Sequence, residues 1–180
     1  LRYAEYIKRI SNLPLDVHLM VKDVAKAIDD FEAVEPNIIT FHYEACTNKE
    51  EVMKNINRIK DAHAKVGISV KPETPIEEIY EFLPYIHVVL VMTVEPGKGG
   101  QKLIPSTIEK IKRLNTYIVA NNLELDIEAD GGINVENVKK VAQKQKITSS
   151  GREDRDIVAM ARAMEDVVVQ VFFRRILSVV

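Results

Sequence analysis

Asp130 is followed at once by Gly131 and Gly132. Such a stretch can hold an exposed carboxylate while letting the backbone close in on a ligand; it also serves as an ordinary helix-capping turn. His18 sits inside an apolar run, where it acts as a ligand or catalytic group, or else packs as a core histidine with its nitrogens satisfied. His42 ends another apolar run, and Glu44 lies two residues on, a spacing open to a metal reading. Met20 shares His18's strand parity, and Met92 lies in the strongest apolar run. Each is a core residue or a polarizable wall beside a planar intermediate. Gly97, Gly99 and Gly100 form one candidate anion nest, Gly131 and Gly132 a second, and Ser149, Ser150 and Gly151 a third. Backbone N–H groups of such turns cradle phosphate, and three after successive late strands point to a phosphate site. Lys98 and Lys102 add attraction there, or are solvated loop lysines. Cys46 has no positioned basic partner in the sequence, so no nucleophilic role is expected of it. His63 and His87 read as structural or exposed.

These residues need elements to position them. Val88 to Val94 is a continuous apolar run that ends in Pro96 and the glycine turn, which is how a strand buried on both faces reads. Further strands are expected at 15–21, 37–42, 65–71 and 125–130, with a short sixth at 147–149. Between them the apolar residues recur at helical spacing: Val24, Ile28 and Phe31 after a capping Asp23, and then Val52, Ile56 and Ile59. Ile76, Ile79 and Phe82 follow Thr74 as N-cap and Pro75 as first helical residue. Helices are also expected over 3–10, 105–120 and 135–142, and from Asp154 or Arg155 onward. Strand–helix units about 20 to 40 residues apart leave room for parallel crossovers. Two architectures fit, a closed eightfold barrel and an open doubly wound sheet, and both gather their chemistry at the C-terminal strand ends. No Gly-x-Gly-x-x-Gly follows the first strand, which weakens the nucleotide-sheet reading.

The chain has 180 residues, the length of one domain with a real core, and a formal net charge of -2. Its basic residues form no dense block, so neither the charge nor its pattern suggests a nucleic-acid binder. One cysteine excludes an internal disulfide, and the apolar runs are too short to span a membrane. Arg2, Glu5, Lys8 and Arg9 interrupt the start, so no secretory pattern opens it, and a cytoplasmic location is expected. Residues 167–176 are strongly β-prone where a last helix should continue, and read as a buried carboxy-terminal helix or an aggregation-prone extension.

Five segments together resemble the ribulose-phosphate 3-epimerase family. They are Asp16-Val17-His18-Leu19-Met20-Val21, Ile39-Thr40-Phe41-His42-Tyr43-Glu44-Ala45, Val66-Gly67-Ile68-Ser69-Val70-Lys71-Pro72, the long run Val91 to Lys102, and Glu128-Ala129-Asp130-Gly131-Gly132-Ile133. The resemblance implies a (β/α)8 TIM barrel of the ribulose-phosphate-binding type. The expectation from it is an incomplete barrel, with residues 1–166 as one barrel domain lacking its first two strands and 167–180 as an atypical tail. It further implies C3 epimerisation between D-ribulose 5-phosphate and D-xylulose 5-phosphate, by two-base proton transfer through an enediolate held by one divalent metal ion (Zn, Fe, Mn or Co). By position, Asp130 resembles a metal ligand and acid/base, and His18 a metal ligand that also contacts substrate. Met20 and Met92 resemble the methionines beside the intermediate. Gly97, Lys98, Gly99, Gly100, Gly131, Gly132, Ser150 and Gly151 resemble substrate and phosphate contacts. The resemblance carries no metal role to His42. A cytoplasmic homo-oligomer, a dimer first, is the expected assembly.

The departures bear on mechanism. The family's His-x-Asp-x-Met-Asp-Gly segment, with a further metal histidine and the opposing acid/base, does not occur in this sequence, nor does its substrate-contacting serine. Lys98 replaces an aromatic residue and Glu73 a glycine. Two other readings follow: a phosphate-binding barrel lyase or synthase with a similar enediolate, and a truncated non-catalytic epimerase-like protein.

Overall fold

The computed structural model describes residues 1–10, 14–97, 100–134, 136–137 and 141, with two strands at 158–160 and 169–173. Five parallel strands carry the architecture: β1 (Leu15–Leu19), β2 (Ile38–His42), β3 (Lys65–Val70), β4 (Val88–Met92) and β5 (Asp126–Asp130). Between them lie α2 (Val24–Glu32), α3 (Lys49–Asp61), a 3-10 segment (Ile76–Tyr85) and α4 (Ser106–Ala120); α1 (Arg2–Ile10) precedes the sheet. Two short strands extend the edges. β6 (Val158–Met160) runs parallel beside β5, and β7 (Val169–Phe173) antiparallel beside β1.

Strand order decides between the two candidate architectures. β1 to β5 lie side by side in chain order. A doubly wound sheet reverses its strand order and packs helices on both faces; β1 to β5 show no reversal, and among the described residues the helices pack on one face. The helix-facing side is one continuous core. Val17, Leu19, Ile39, Phe41, Val66, Ile68, Val70, Val89, Val91, Ile127 and Ala129 pack there with Ile28 of α2, Ile56 of α3 and Leu114 of α4. The opposite face, one residue out of step, carries Asp16, His18, Thr40, His42, Ser69, Glu128 and Asp130 together with Ile38, Val88, Leu90 and Met92, all buried. This is a curled half of a (β/α)8 barrel, an incomplete TIM barrel.

Local sequence explains most of the elements. Asp23 caps α2 by accepting from Lys26 N at 3.0 Å, and Asn48 caps α3 by accepting from Glu51 N at 2.9 Å. Arg58 Nη1 of α3 donates to both carboxylate oxygens of Asp29 of α2, at 2.6 and 2.7 Å. Gly67 is required in β3: a Cβ there would lie 2.1 Å from Thr40 Oγ1 on the neighbouring strand. Among the described residues no helix is long and apolar enough to cross a membrane.

Three expectations are corrected. Residues 76–85 form a 3-10 run, with Pro75 as N-cap in an extended conformation. Thr74, expected to cap it, instead gives its hydroxyl to Glu44, and Pro84 removes a helical donor inside the run. The last helix, expected from Asp154 or Arg155, does not run through Val158–Met160, which pairs with the backbone edge of β5. Within the β-prone tail, Val169–Phe173 is a strand rather than a buried helix. The strand expected at 147–149 lies outside the described residues, as does nearly all of the helix expected at 135–142.

Candidate active site

The polar face collects at the C-terminal ends of the strands because register aligns them. His18 stands beside Thr40, His42 beside Ser69, and Met92 beside Asp130. Each alternates with an apolar neighbour committed to the helix-facing core, so none of these side chains can turn away from the concave face.

Asp130 is the last residue of β5, and its side chain is buried. Its backbone is held by Thr93, just beyond β4. Thr93 N donates to Asp130 O at 2.8 Å, and Thr93 Oγ1 to the same oxygen at 2.9 Å and to Gly131 O. The double glycine that follows has a steric reason. Gly131 and Gly132 have φ of +116° and +64°, in the region that disfavours a side chain. A Cβ on Gly132 would lie 2.3 Å from Leu103 N, and one on Gly131 2.2 Å from Val94 Cγ2. The turn after β5 is therefore wedged against the segment after β4. Ile104 N donates back to Thr93 O at 2.8 Å, Gln101 Nε2 to Glu95 O at 2.6 Å, and Asn137 Nδ2 to Gly132 O at 2.8 Å. Two of the three glycine turns read as anion nests thus lie together beside Asp130. Gly97 and Gly100 have positive φ as such a turn requires. Lys98, Gly99, Ser150 and Gly151 lie outside the described residues.

His18 is fully buried, and its Nε2 lies 3.0 Å from Nε2 of His42. The ring planes differ by 28° with centroids 4.8 Å apart, a stacked pair. His42 Nδ1 lies 3.5 Å from Glu44 Oε2. Glu44 Oε1 accepts from Lys71 N at 2.8 Å and from the Thr74 hydroxyl. Burial alone would raise the Glu44 carboxyl, but hydrogen bonds from His42, Thr74 and Lys71 N outweigh it and hold its pKa at about 2. Behind this loop, the buried Lys110 of α4 donates to the carbonyls of Lys71, Pro72 and Thr74 at 2.7, 2.8 and 2.6 Å. Burial pulls the Lys110 ammonium below its ordinary value.

Parity puts Asp16, His18 and Met20 on one face and the double glycine puts Asp130 at a strand end; the structure brings His18, Met92 and Asp130 together on the concave face, with Met20 just past the end of β1 and partly exposed. The sequence reading missed that His42 meets His18, although Thr40, two residues before His42, is the register partner of His18. Lys110 was missed too. Its spacing from Thr107 and Leu114, both buried, places it on the inward side of α4. His87 is structural as expected: its Nδ1 accepts from Val66 N at 3.1 Å, and burial lowers its pKa. Burial raises the Cys46 thiol, which accepts from Asn55 Nδ2 at 3.4 Å.

For a divalent ion, imidazole and carboxylate donors are of the right chemical type. Among the described residues, however, no three His, Cys, Asp or Glu side chains converge.

Comparison with known proteins bears on the same face. The family model described as the ribulose-phosphate 3 epimerase family matches residues 1–149. A ribulose-phosphate 3-epimerase of Methanocaldococcus jannaschii is 44% identical over 133 residues, covering 74% of this chain and 55% of the relative. One of Escherichia coli (strain K12) is 38% identical over 129 residues, covering 72% and 56%. One of Mycobacterium tuberculosis (strain H37Rv) is 36% identical over 140 residues, covering 78% and 60%. The chain thus spans little more than half the length of these curated relatives. On the extent of the family match and this level of identity, the chain belongs to the ribulose-phosphate 3-epimerase family.

Proposed function

We propose that this face handles a ketopentose 5-phosphate and that Asp130 moves the proton at C3, the step that interconverts D-ribulose 5-phosphate and D-xylulose 5-phosphate. The observation that carries the reading is the buried carboxylate of Asp130, fixed at a strand end beside Met92 and backed by the wedged glycine turn. The C3 proton lies next to the C2 carbonyl and is weakly acidic. The Asp130 carboxylate takes it, and the C3–H electron pair becomes the C2–C3 double bond. Negative charge then collects on the C2 oxygen. Return of the proton to the same face restores the starting ketose, and delivery of a proton to the opposite face gives the other epimer. Met92, apolar and polarizable, offers a face to the flat enediolate without adding a competing proton donor. The turn backbones at 97–100 and 131–132 are the proposed phosphate contacts. In its family a divalent ion stabilises the enediolate oxygens. His18 and Asp130 are the donors this chain would bring to one, and the described residues bring no third.

The test is loss of the C3 proton signal when D-xylulose 5-phosphate or D-ribulose 5-phosphate is incubated with the chain in heavy water, followed by proton NMR. Exchange that Asp130→Asn abolishes supports the reading. Retention of the C3 proton in both epimers by the folded chain, with and without added divalent ions, would leave the non-catalytic reading in its place.

A further inference from the structure

Lys110 is a buried charge that the proposed proton transfer does not use. It lies on the inward side of α4, and its ammonium spends all three N–H groups on one loop. The acceptors are the backbone carbonyls of Lys71, Pro72 and Thr74, at 2.7, 2.8 and 2.6 Å. A neutral amine has two N–H groups, so three acceptors at this range call for the charged form. Burial works against that charge; Glu44, Glu73 and Glu77 favour it, and Arg113 opposes it. Residues 71–74 form a tight turn, closed by Thr74 N donating to Lys71 O at 3.2 Å. Three carbonyl oxygens of one turn thus converge on a single point, where they would repel one another without a positive group between them. Backbone carbonyls gathered in this way coordinate potassium ions in channel filters, where they replace the ion's water.

We propose that Lys110 is a positioning residue, a cation tethered to α4 that fills a carbonyl cage and thereby sets the loop after β3 at the strand-end face. The loop has its own task there. Lys71 N and the Thr74 hydroxyl both donate to Glu44 Oε1, and Glu44 lies beside His42 of the concave face. One short segment therefore presents carbonyls to α4 and donors to the end of β2. The cage selects by charge and by number of donors. An apolar side chain of similar length fills the same volume but leaves three buried carbonyls facing one another with nothing to accept from, and the turn must open to satisfy them. The consequence for proton transfer at C3 rests on the epimerase reading; the cage itself does not.

The experiment is amide hydrogen exchange of the full chain, read residue by residue by NMR, in the wild type, Lys110→Met and Lys110→Ala. Lys71 N reports the loop, because its hydrogen bond goes to Glu44. In Lys110→Met, which keeps most of the packing, Lys71 N should exchange about tenfold faster or more, while amides inside β3 and β4 stay as protected as before. Lys110→Ala removes the heavy atoms of one propylammonium ion. Added propylammonium should restore the Lys71 protection, and 1-propanol, a neutral molecule of the same shape, should not. Unchanged Lys71 exchange in Lys110→Met overturns the proposal. So does failure of propylammonium to restore protection, or equal rescue by 1-propanol, since the stem and not the charge would then hold the loop. Should neither variant fold, the wild type decides: a 15N-lysine spectrum at pH 7 should show Lys110 as a slowly exchanging ammonium, and a neutral amine there overturns the proposal. Where C3 exchange is present, Lys110→Met should slow it by about tenfold or more, and propylammonium should return it in Lys110→Ala. Absence of C3 exchange in the wild type counts against the epimerase reading and leaves the loop test standing.

Discussion

Acid should weaken this fold through Glu44 in particular. The perturbation is Glu44→Gln, which keeps the shape of the side chain and removes its titration. The folded carboxyl sits at about 2 against an ordinary 4.5, so it holds its proton less tightly in the folded chain than in the unfolded one. A depressed folded pKa gives stability that is complete above about 4.5 and is lost as pH falls toward 2. Full titration of that gap is worth roughly 3 kcal/mol, and about 2 kcal/mol of it is lost by pH 3. The side chain is 20% exposed, so solvent screening removes only part of the effect. The charged group that helps to keep it ionised is Lys110. The assay is urea unfolding of both chains from pH 7 to pH 3. Glu50 and Glu51 also have lowered pKa values, but both chains contain them and they cancel in the difference. The wild type should lose about 2 kcal/mol more than the variant over this interval. Parallel curves for the two chains would refute the idea that Glu44 is a buried carboxylate held ionised by its hydrogen bonds.

Two further substitutions probe the strand-end turns. Thr93→Val removes the hydroxyl that holds Asp130 O and Gly131 O but keeps the shape, and should cost about 1–2 kcal/mol, seen as a fall of roughly 3–6 °C in melting temperature. Gly132→Ala should cost about 3 kcal/mol or more in urea unfolding, because it adds a left-handed alanine and a Cβ against the Leu103 backbone. Gly97→Ala is its control: φ is +86° but nothing lies within 4 Å of the new Cβ, so only the conformational cost of about 1–2 kcal/mol should appear.

The sequence made the alternation of elements legible because the strands are apolar runs and α2 and α3 carry periodic faces behind Asp23 and Asn48 caps. The concave face was legible only in part. Parity puts His18 and Met20 together, and Asp130 advertises itself by its two glycines, but nothing local says that His42 reaches His18. That contact depends on register between β1 and β2. The Glu44 clamp was further out of reach, because its donors Lys71 and Thr74 are 27 and 30 residues away in the chain. The helix expected at Thr74 failed for the same reason: the hydroxyl that resembled a cap is spent on Glu44. Local chemistry names which groups can bond, and the sheet decides which of them meet.

The sequential order of the sheet bears on how the chain is made. From β1 to β5, each strand pairs with the one synthesised just before it. No strand in this series has to be slotted between two that are already joined. The sheet can grow at one advancing edge as the polypeptide leaves the ribosome, each crossover helix emerging in time to cover the strand behind it. Every step closes a loop of one strand–helix unit, which keeps the entropic cost modest and nearly constant. The exposed edge at any moment is the one the next strand will occupy, so a pause in translation within a crossover leaves that edge open to other chains.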